Sequence, residues 1–533
     1  ESMAISDPAH ATGESHQTSL TETSVGDLKA QELPKMETQE ESKESTMTST
    51  AENIGNVKVV SAGEAEIDDE DIEYPHGAKL WIILAALCLA VFLVALDQTI
   101  ISTAIPKITD HFNSIQDIGW YGSSYLLTAT ALQPTFGRIY TIFSIKYTFL
   151  TAIVIFELGL PIGALAVAVI FLVLKINRDN NPDHLTPIQR ILKLDLVGAS
   201  ILVPAVVCLL LALQWGGTTY AWSNSKIIGL FVGFALLTII FIYSQIKLGD
   251  RGTLPPRLFK NRNVVCAFAF ACFFGSGFFT LIFYLAIYFQ SVQGSSATHA
   301  GIQLLPLLIS TVLSSIVTGG LITAVGYYAP VMLFCMVLFC IGSGLITTFS
   351  INTPLSQWFG YQVITGLGIG VGFQGGVVIV QTVLPLKDVP VATACVSFFQ
   401  TLGGALFISV AQTLFQNGLL SGIQKNAPVL DAEVFLHSGA TEIRHLLAEM
   451  NHEDQLDAVL QAYVEGLTHT YWITTACAIV AFVACLGIEW KSVKVGHGQD
   501  KNKTKDVEDI GPVEKADDQV EKEVASEKEI EAD

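Results

Sequence analysis

Lys79-LWIILAALCLAVFLVAL-Asp97 sets seventeen consecutive apolar residues between two charges. At about 1.5 Å per residue the run covers roughly 26 Å as a helix, close to the roughly 30 Å of a bilayer's hydrocarbon core. Extended to 80–102 it is the first of ten such stretches. The others fall near 118–137, 195–214, 226–246, 264–289, 302–324, 330–349, 358–384, 391–415 and 470–488. Each is apolar throughout, whereas the strands of a membrane barrel are about 10 residues long and alternate. The fold class is therefore all-α, a polytopic transmembrane helix bundle over 79–490.

Composition agrees with that reading. Of 533 residues, 51% are hydrophobic and 15% charged, and the mean hydropathy is +0.50, outside the range of water-soluble globular chains. The net charge of −20 sits almost wholly at the ends: residues 1–78 hold 18 acidic and 4 basic residues, and 491–533 hold 13 and 8. Both segments lack long apolar runs, so disordered, charged tails are expected. No basic face invites nucleic acid. All nine cysteines lie inside apolar spans without C-x-x-C spacing and read as small apolar residues, so no metal site is expected from them. The first apolar run starts behind the acidic leader, so the first helix is expected to target the chain.

Orientation follows from loop charge, because Lys and Arg stay on the cytoplasmic side. The connections 138–146, 175–194, 247–263 and 385–390 carry basic residues; 215–225, 290–301 and 350–357 carry none, and 103–117 has only Lys107. The first group is assigned to the cytosol, with both tails, and the second to the outside. The long acidic connection 416–469 falls outside by parity, and Leu456, Val459, Leu460, Tyr463, Val464 and Leu467 repeat at helical spacing, so an external cap of one or two short helices is expected there. Its histidines show no i, i+4 ligand pair.

One segment breaks this pattern. Residues 147–174 have basic flanks on both sides, which a single crossing would place on opposite faces. Glu157-Leu-Gly-Leu-Pro161-Ile-Gly163 also divides the segment into two pieces too short to span. A re-entrant hairpin or the loss of an even number of crossings would each reconcile the charges.

Several polar residues lie within the apolar runs. An ionised acid in lipid costs a few kcal/mol, so Asp97 is expected to face a cavity or carry a proton, which suits a proton-coupled carrier; a wet helix end is the structural alternative. Glu157 is the second such acid, at the anomalous junction. Gln133, Gln362, Gln374, Gln381 and Gln400 either hold helices together or line a cavity, and Arg138 is an interface anchor or a gate. The run Gly366, Gly368, Gly370, Gly372, Gly375 and Gly376 reads as close helix packing, since no βαβ context or closing Lys-Ser/Thr supports a nucleotide loop. No catalytic constellation stands out, so neither an enzyme nor a cofactor is expected.

Leu96-Asp97-Gln98-Thr99-Ile100-Ile101-Ser102-Thr103-Ala104-Ile105-Pro106-Lys107-Ile108 resembles the first-helix signature of the 14-helix drug:proton antiporter branch of the major facilitator superfamily. Trp120-Tyr121, Tyr125-Leu126-Leu127-Thr128, Ala131-Leu132-Gln133-Pro134 and Phe136-Gly137-Arg138-Ile139-Tyr140 resemble its fungal toxin and multidrug efflux members. Ala212-Leu213-Gln214-Trp215-Gly216-Gly217 and Gly366-Leu367-Gly368-Ile369-Gly370 fit the same branch. The resemblance covers about residues 79–490. It implies secondary transport of hydrophobic small molecules out of the cell by proton antiport. Asp97, Thr99 and Glu157 become coupling candidates, and Gln133, Pro134, Arg138, Gln374 and Gln400 cavity or gating candidates. A monomer in the plasma membrane is expected, with vacuolar or vesicle membranes as alternatives and lipid and protons as partners.

Against that family, Phe156-Glu157-Leu158-Gly159 is similar to the third helix and Leu160-Pro161-Ile162-Gly163-Ala164 to the sixth. Helices four and five are therefore missing, leaving about 11 apolar segments instead of 14. The missing part includes a Gly-Pro signature that the family associates with antiport, so an inactive relative, or less readily a membrane sensor, is the rival expectation. The loop after the second helix also departs from the superfamily pattern, with Thr141 and Ser144 where an acid and a glycine are usual.

Overall fold

The computed structural model describes residues 77, 104–112, 117–156, 195–217, 219–436, 438 and 442–493. Asp97, Thr99 and Glu157 lie outside the described residues, as do the junction at Gly159 and nearly all of both charged tails. The described residues fall in the Tyr74–Asp533 unit.

Among the described residues, helix follows helix. In chain order they are α1 (104–112), α2 (Ile118–Ile142), α3 (Ile145–Phe156), α4 (Leu196–Trp215), α5 (Ser225–Leu248), α6 (Arg262–Ile287), α7 (Ala297–Gln303), α8 (Leu305–Val325), α9 (Ala329–Ile346), α10 (Leu355–Ile369), α11 (Gly372–Val383), α12 (Val389–Asn426), α13 (Ala432–Leu436), α14 (Ile443–Glu449) and α15 (Leu456–Leu486). Eight helical segments among the described residues are long and apolar enough to cross a membrane. The fold class is the all-α bundle that the apolar runs predict.

Helix α12 is the hub, packing on α2, α6 and α15. Lipid tails are as apolar as leucine, so association inside a membrane depends on close packing and on hydrogen bonds. Small residues supply the closeness. A Cβ on Gly275 would lie 2.1 Å from the Gln400 carbonyl oxygen, and one on Gly403 would lie 2.1 Å from that of Cys272, so α6 and α12 touch backbone to backbone. The glycine run of α10 and α11 packs on four helices: Gly366 and Gly370 meet α8, Gly368 meets α9, Gly372 meets Phe274 of α6, and Gly376 meets Val396 of α12. Close packing therefore accounts for these glycines, as their sequence context suggested.

The helix ends are set by local chemistry. Asn224 and Asn261 cap α5 and α6 by accepting from Lys226 N and Asn263 N. Gly326, at φ +84, ends α8 in the left-handed region that favours glycine. Beyond α15, Glu489 fastens the chain: its N–H donates to Asn263 Oδ1 at 2.9 Å, and Asn263 Nδ2 donates to its carboxylate at 3.0 Å.

The connection between the last two long helices differs from its expected form. α12 continues to Asn426 and α15 starts at Leu456, so the apolar pattern from Leu456 to Leu467 is the first part of the final helix. Only α13 and α14 are separate short helices. The extension is held by a glycine contact, since a Cβ on Gly418 would lie 2.8 Å from Gly466 Cα, and by Lys425 and Asn426 facing Glu465.

Candidate functional site

Helices α2 and α12 run antiparallel in one register along their shared length. Gly119 meets Gln412, Leu126 meets Gly404, and Gly137 meets Ala394. From Gly119 to Gly137 is about 27 Å of helix, so the first and last of these contacts sit near opposite ends of α2. Each end carries a buried polar cluster.

The first cluster centres on Gln412, which is fully buried. Its Oε1 accepts from Gly119 N at 3.1 Å and from the Tyr284 hydroxyl at 3.3 Å. One turn back on α12, Ser409 donates to Gln214 Oε1 of α4 at 3.2 Å. The Tyr471 hydroxyl donates to the Tyr284 carbonyl at 3.2 Å, which brings in α15. Five helices are thereby joined through hydrogen bonds in a low-dielectric setting, where leaving one of these groups unpaired would cost roughly 1–3 kcal/mol.

The second cluster lies at the end that carries the basic connections. Arg138 sits on the last turns of α2, where Gly137 lets the helix lie against α12: a Cβ there would fall 2.4 Å from that of Ala394. Its guanidinium donates to the carbonyl oxygens of Asp250 and Gly252 in the connector between α5 and α6. Arg257, further along that connector, pairs with Asp250 at 3.1 Å and with Asp388, the residue before α12, at 2.5 Å. A cavity of about 130 Å³ opens beside Arg138, Arg257 and Asp388. The connector thus bridges α2 to α12.

The connector is in turn held by Asp195. This carboxylate caps α4 through Gly198 N at 2.6 Å, and its other oxygen accepts from Gln245 Nε2 at 2.7 Å, Thr253 N at 3.0 Å and Thr253 Oγ1 at 2.8 Å. Burial pushes the Asp195 carboxyl up, but its hydrogen bonds outweigh that and hold it below the usual carboxylate range.

Among the other sequence candidates, Pro134 is buried in α2 and Gln133 is half-buried beside it. Gln400 is buried on α12, and its Nε2 has no partner among the described residues. Gln374 is exposed on α11, away from both clusters. Gln362 donates to the Gln303 carbonyl at 3.0 Å and joins α10 to α7. Sequence reasoning passed over Gln412, Gln214 and Asp195. A glutamine and a serine three apart in an otherwise apolar stretch, Ser409 and Gln412, were the available signal.

The core beside α6 is aromatic. Phe270, Phe274 and Phe278 stack along α6 at 5.8 and 6.0 Å, and Phe373 sets its edge against the last two. A second cavity, about 500 Å³, opens near the Gly119 end and is lined by Ala104, Lys107, Ile108, His111, Phe112, Ala297 and Thr298.

The family model described as Major Facilitator Superfamily matches residues 87–176. "MFS-type efflux pump MFS1" of Arthroderma benhamiae is 41% identical over 509 residues, covering 80% of this chain and 94% of its own. "MFS-type transporter astH" of Aspergillus oryzae is 36% identical, covering 81% and 91%. "Efflux pump aflT" of Aspergillus parasiticus is 34% identical, covering 78% and 97%. The lengths are unequal. In the first match, 80% of 533 residues is about 426, so about 80 of the 509 aligned positions have no residue in this chain.

Proposed function

The chain belongs to the Major Facilitator Superfamily, and from that premise we propose that it exports hydrophobic small molecules by alternating access coupled to inward proton movement. The observation that carries the direction of transport is its 41% identity, over nearly the whole length of the relative, to a protein named as an efflux pump. The α2–α12 pair supports the mechanism. Opening a central site to one face requires those helices to part at one end while the other end stays joined, and each end has its own polar cluster. Because Lys and Arg stay on the cytoplasmic side, the proposed cytoplasmic face is the one with the Arg138 cluster, and the proposed outer face the one with the Gln412 cluster. Asp97 is the proposed proton-coupling residue, with Thr99 and Glu157 beside it in the assignment, and Gln400 is a cavity candidate. The proposed location is the plasma membrane, with both tails cytoplasmic.

A second reading has an observation of its own. The shortfall of about 80 aligned positions matches the size of two helices with their loops, and the proposed place for it is the Gly159–Leu160 junction. A bundle lacking those helices would have one cavity wall open to lipid, which favours a non-transporting relative. Accumulation of a hydrophobic fluorescent compound separates the two readings. Cells with the chain confirmed at the membrane should retain several-fold less than cells with empty vector; equal retention would favour the non-transporting relative.

A further inference from the structure

We propose that Asp195 is a positioning residue for the gate at the basic end: it holds the α5–α6 connector so that the carbonyl oxygens of Asp250 and Gly252 receive the Arg138 guanidinium. The loop that follows Arg138 offers it no carboxylate, having Thr141 and Ser144 instead. Its donors go to the connector, and a backbone carbonyl is a useful acceptor only where the backbone is held still. Asp195 and Gln245 do the holding. Gln245 Oε1 accepts from Leu254 N at 2.9 Å, and Gly252 is pressed so closely on Gln245 that a Cβ would lie 2.5 Å from Oε1.

A carboxylate that served only to cap α4 would need the Gly198 contact alone. Three of the four donors to Asp195 come instead from α5 and the connector. The α4–α5 hairpin, peripheral to the bundle, thereby becomes part of the clasp between α2 and α12.

Asp195→Asn separates the two roles. An asparagine oxygen still caps α4, but its amide nitrogen cannot accept from Gln245 or Thr253. Cys395 reports on the gate, because it is fully buried on α12 next to the Ala394–Gly137 contact. Cys477 on α15, 3% exposed, reports on general loosening. Two full-length proteins, each keeping one of these cysteines and having the other eight replaced, would be labelled with a maleimide in lipid vesicles. Asp195→Asn should speed Cys395 labelling about tenfold, roughly the worth of one hydrogen bond to a charged group, and leave Cys477 unchanged. Arg138→Gln should do the same, and the double substitution should add nothing to the larger single effect. An unchanged Cys395 rate, a Cys477 rate that rises in step, or effects that multiply would overturn the proposal. The inference rests on the alternating-access reading, but the labelling needs neither substrate nor gradient. A failed gate and a failed exporter are therefore read separately.

Discussion

Gln412 accepts hydrogen bonds from α2 and α6, and Asp195 accepts them from α4, α5 and the connector. Both are buried acceptors serving several elements, and both lose most of their value if one oxygen becomes an NH2 or a methyl. For Asp195 the effect carries a pH signature. Its folded carboxyl lies below the usual range, so its stabilisation is complete above the ordinary aspartate value of about 3.9 and is lost as pH falls through the lower folded value. The groups facing it are Gln245 and Thr253, with Arg138, which also faces Asp250, across the connector. Asp195→Asn should destabilise the protein by about 2–4 kcal/mol at neutral pH. In thermal unfolding the gap from the parent should stay constant down to about pH 4 and narrow only below it. A gap that narrows between pH 7 and pH 5 would contradict the assignment. Arg138 was visible in the sequence because a charge at the end of an apolar run stands out. Asp195 was not, since it reads as one more loop residue until the fold brings Gln245 and Thr253, 50 and 58 positions away, against it.

At the scale of the helix, the α2–α12 register is set by small residues. Gly137→Ala should push the basic ends apart and lower the unfolding temperature, at a cost of about 1–3 kcal/mol for overpacking. Combining it with Ala394→Gly removes the opposing methyl and should restore most of the loss, as read by unfolding of the single and double variants side by side. Failure of the second change to compensate would show that the two positions do not meet. Most helix positions were legible because a membrane span needs an apolar run of fixed length, and that constraint is written directly in composition. Two features escaped. The apolar pattern from Leu456 to Leu467 suits a short cap helix as well as the start of a long one, and in the structure it is the first part of α15. The run 358–384 is one candidate span, Leu355–Val383, but it contains a break where α10 and α11 meet at Gly370 and Val371 and the Ser315 hydroxyl donates to the Gly370 carbonyl; a serine on another helix gives no warning in the local sequence.

At the scale of the molecule, family membership and the all-α bundle were within reach of the sequence, since both follow from long apolar runs and one extended signature. Which residues touch across the bundle was out of reach, because Gly119 and Gln412 lie 293 positions apart. Helix α4 shows what that distance conceals: Asp195 at its start belongs to one cluster and Gln214 at its end to the other, so a helix at the edge of the bundle reaches both clusters. The central claim, a proton-coupled exporter with gates at the two ends of α2 and α12, is tested most directly by transport in inverted membrane vesicles. An imposed gradient with the vesicle interior acidic should drive uptake of a hydrophobic fluorescent compound, and Asp97→Asn should abolish that uptake while the protein remains inserted. Uptake that ignores the gradient, or that equals the uptake of vesicles lacking the protein, would contradict it.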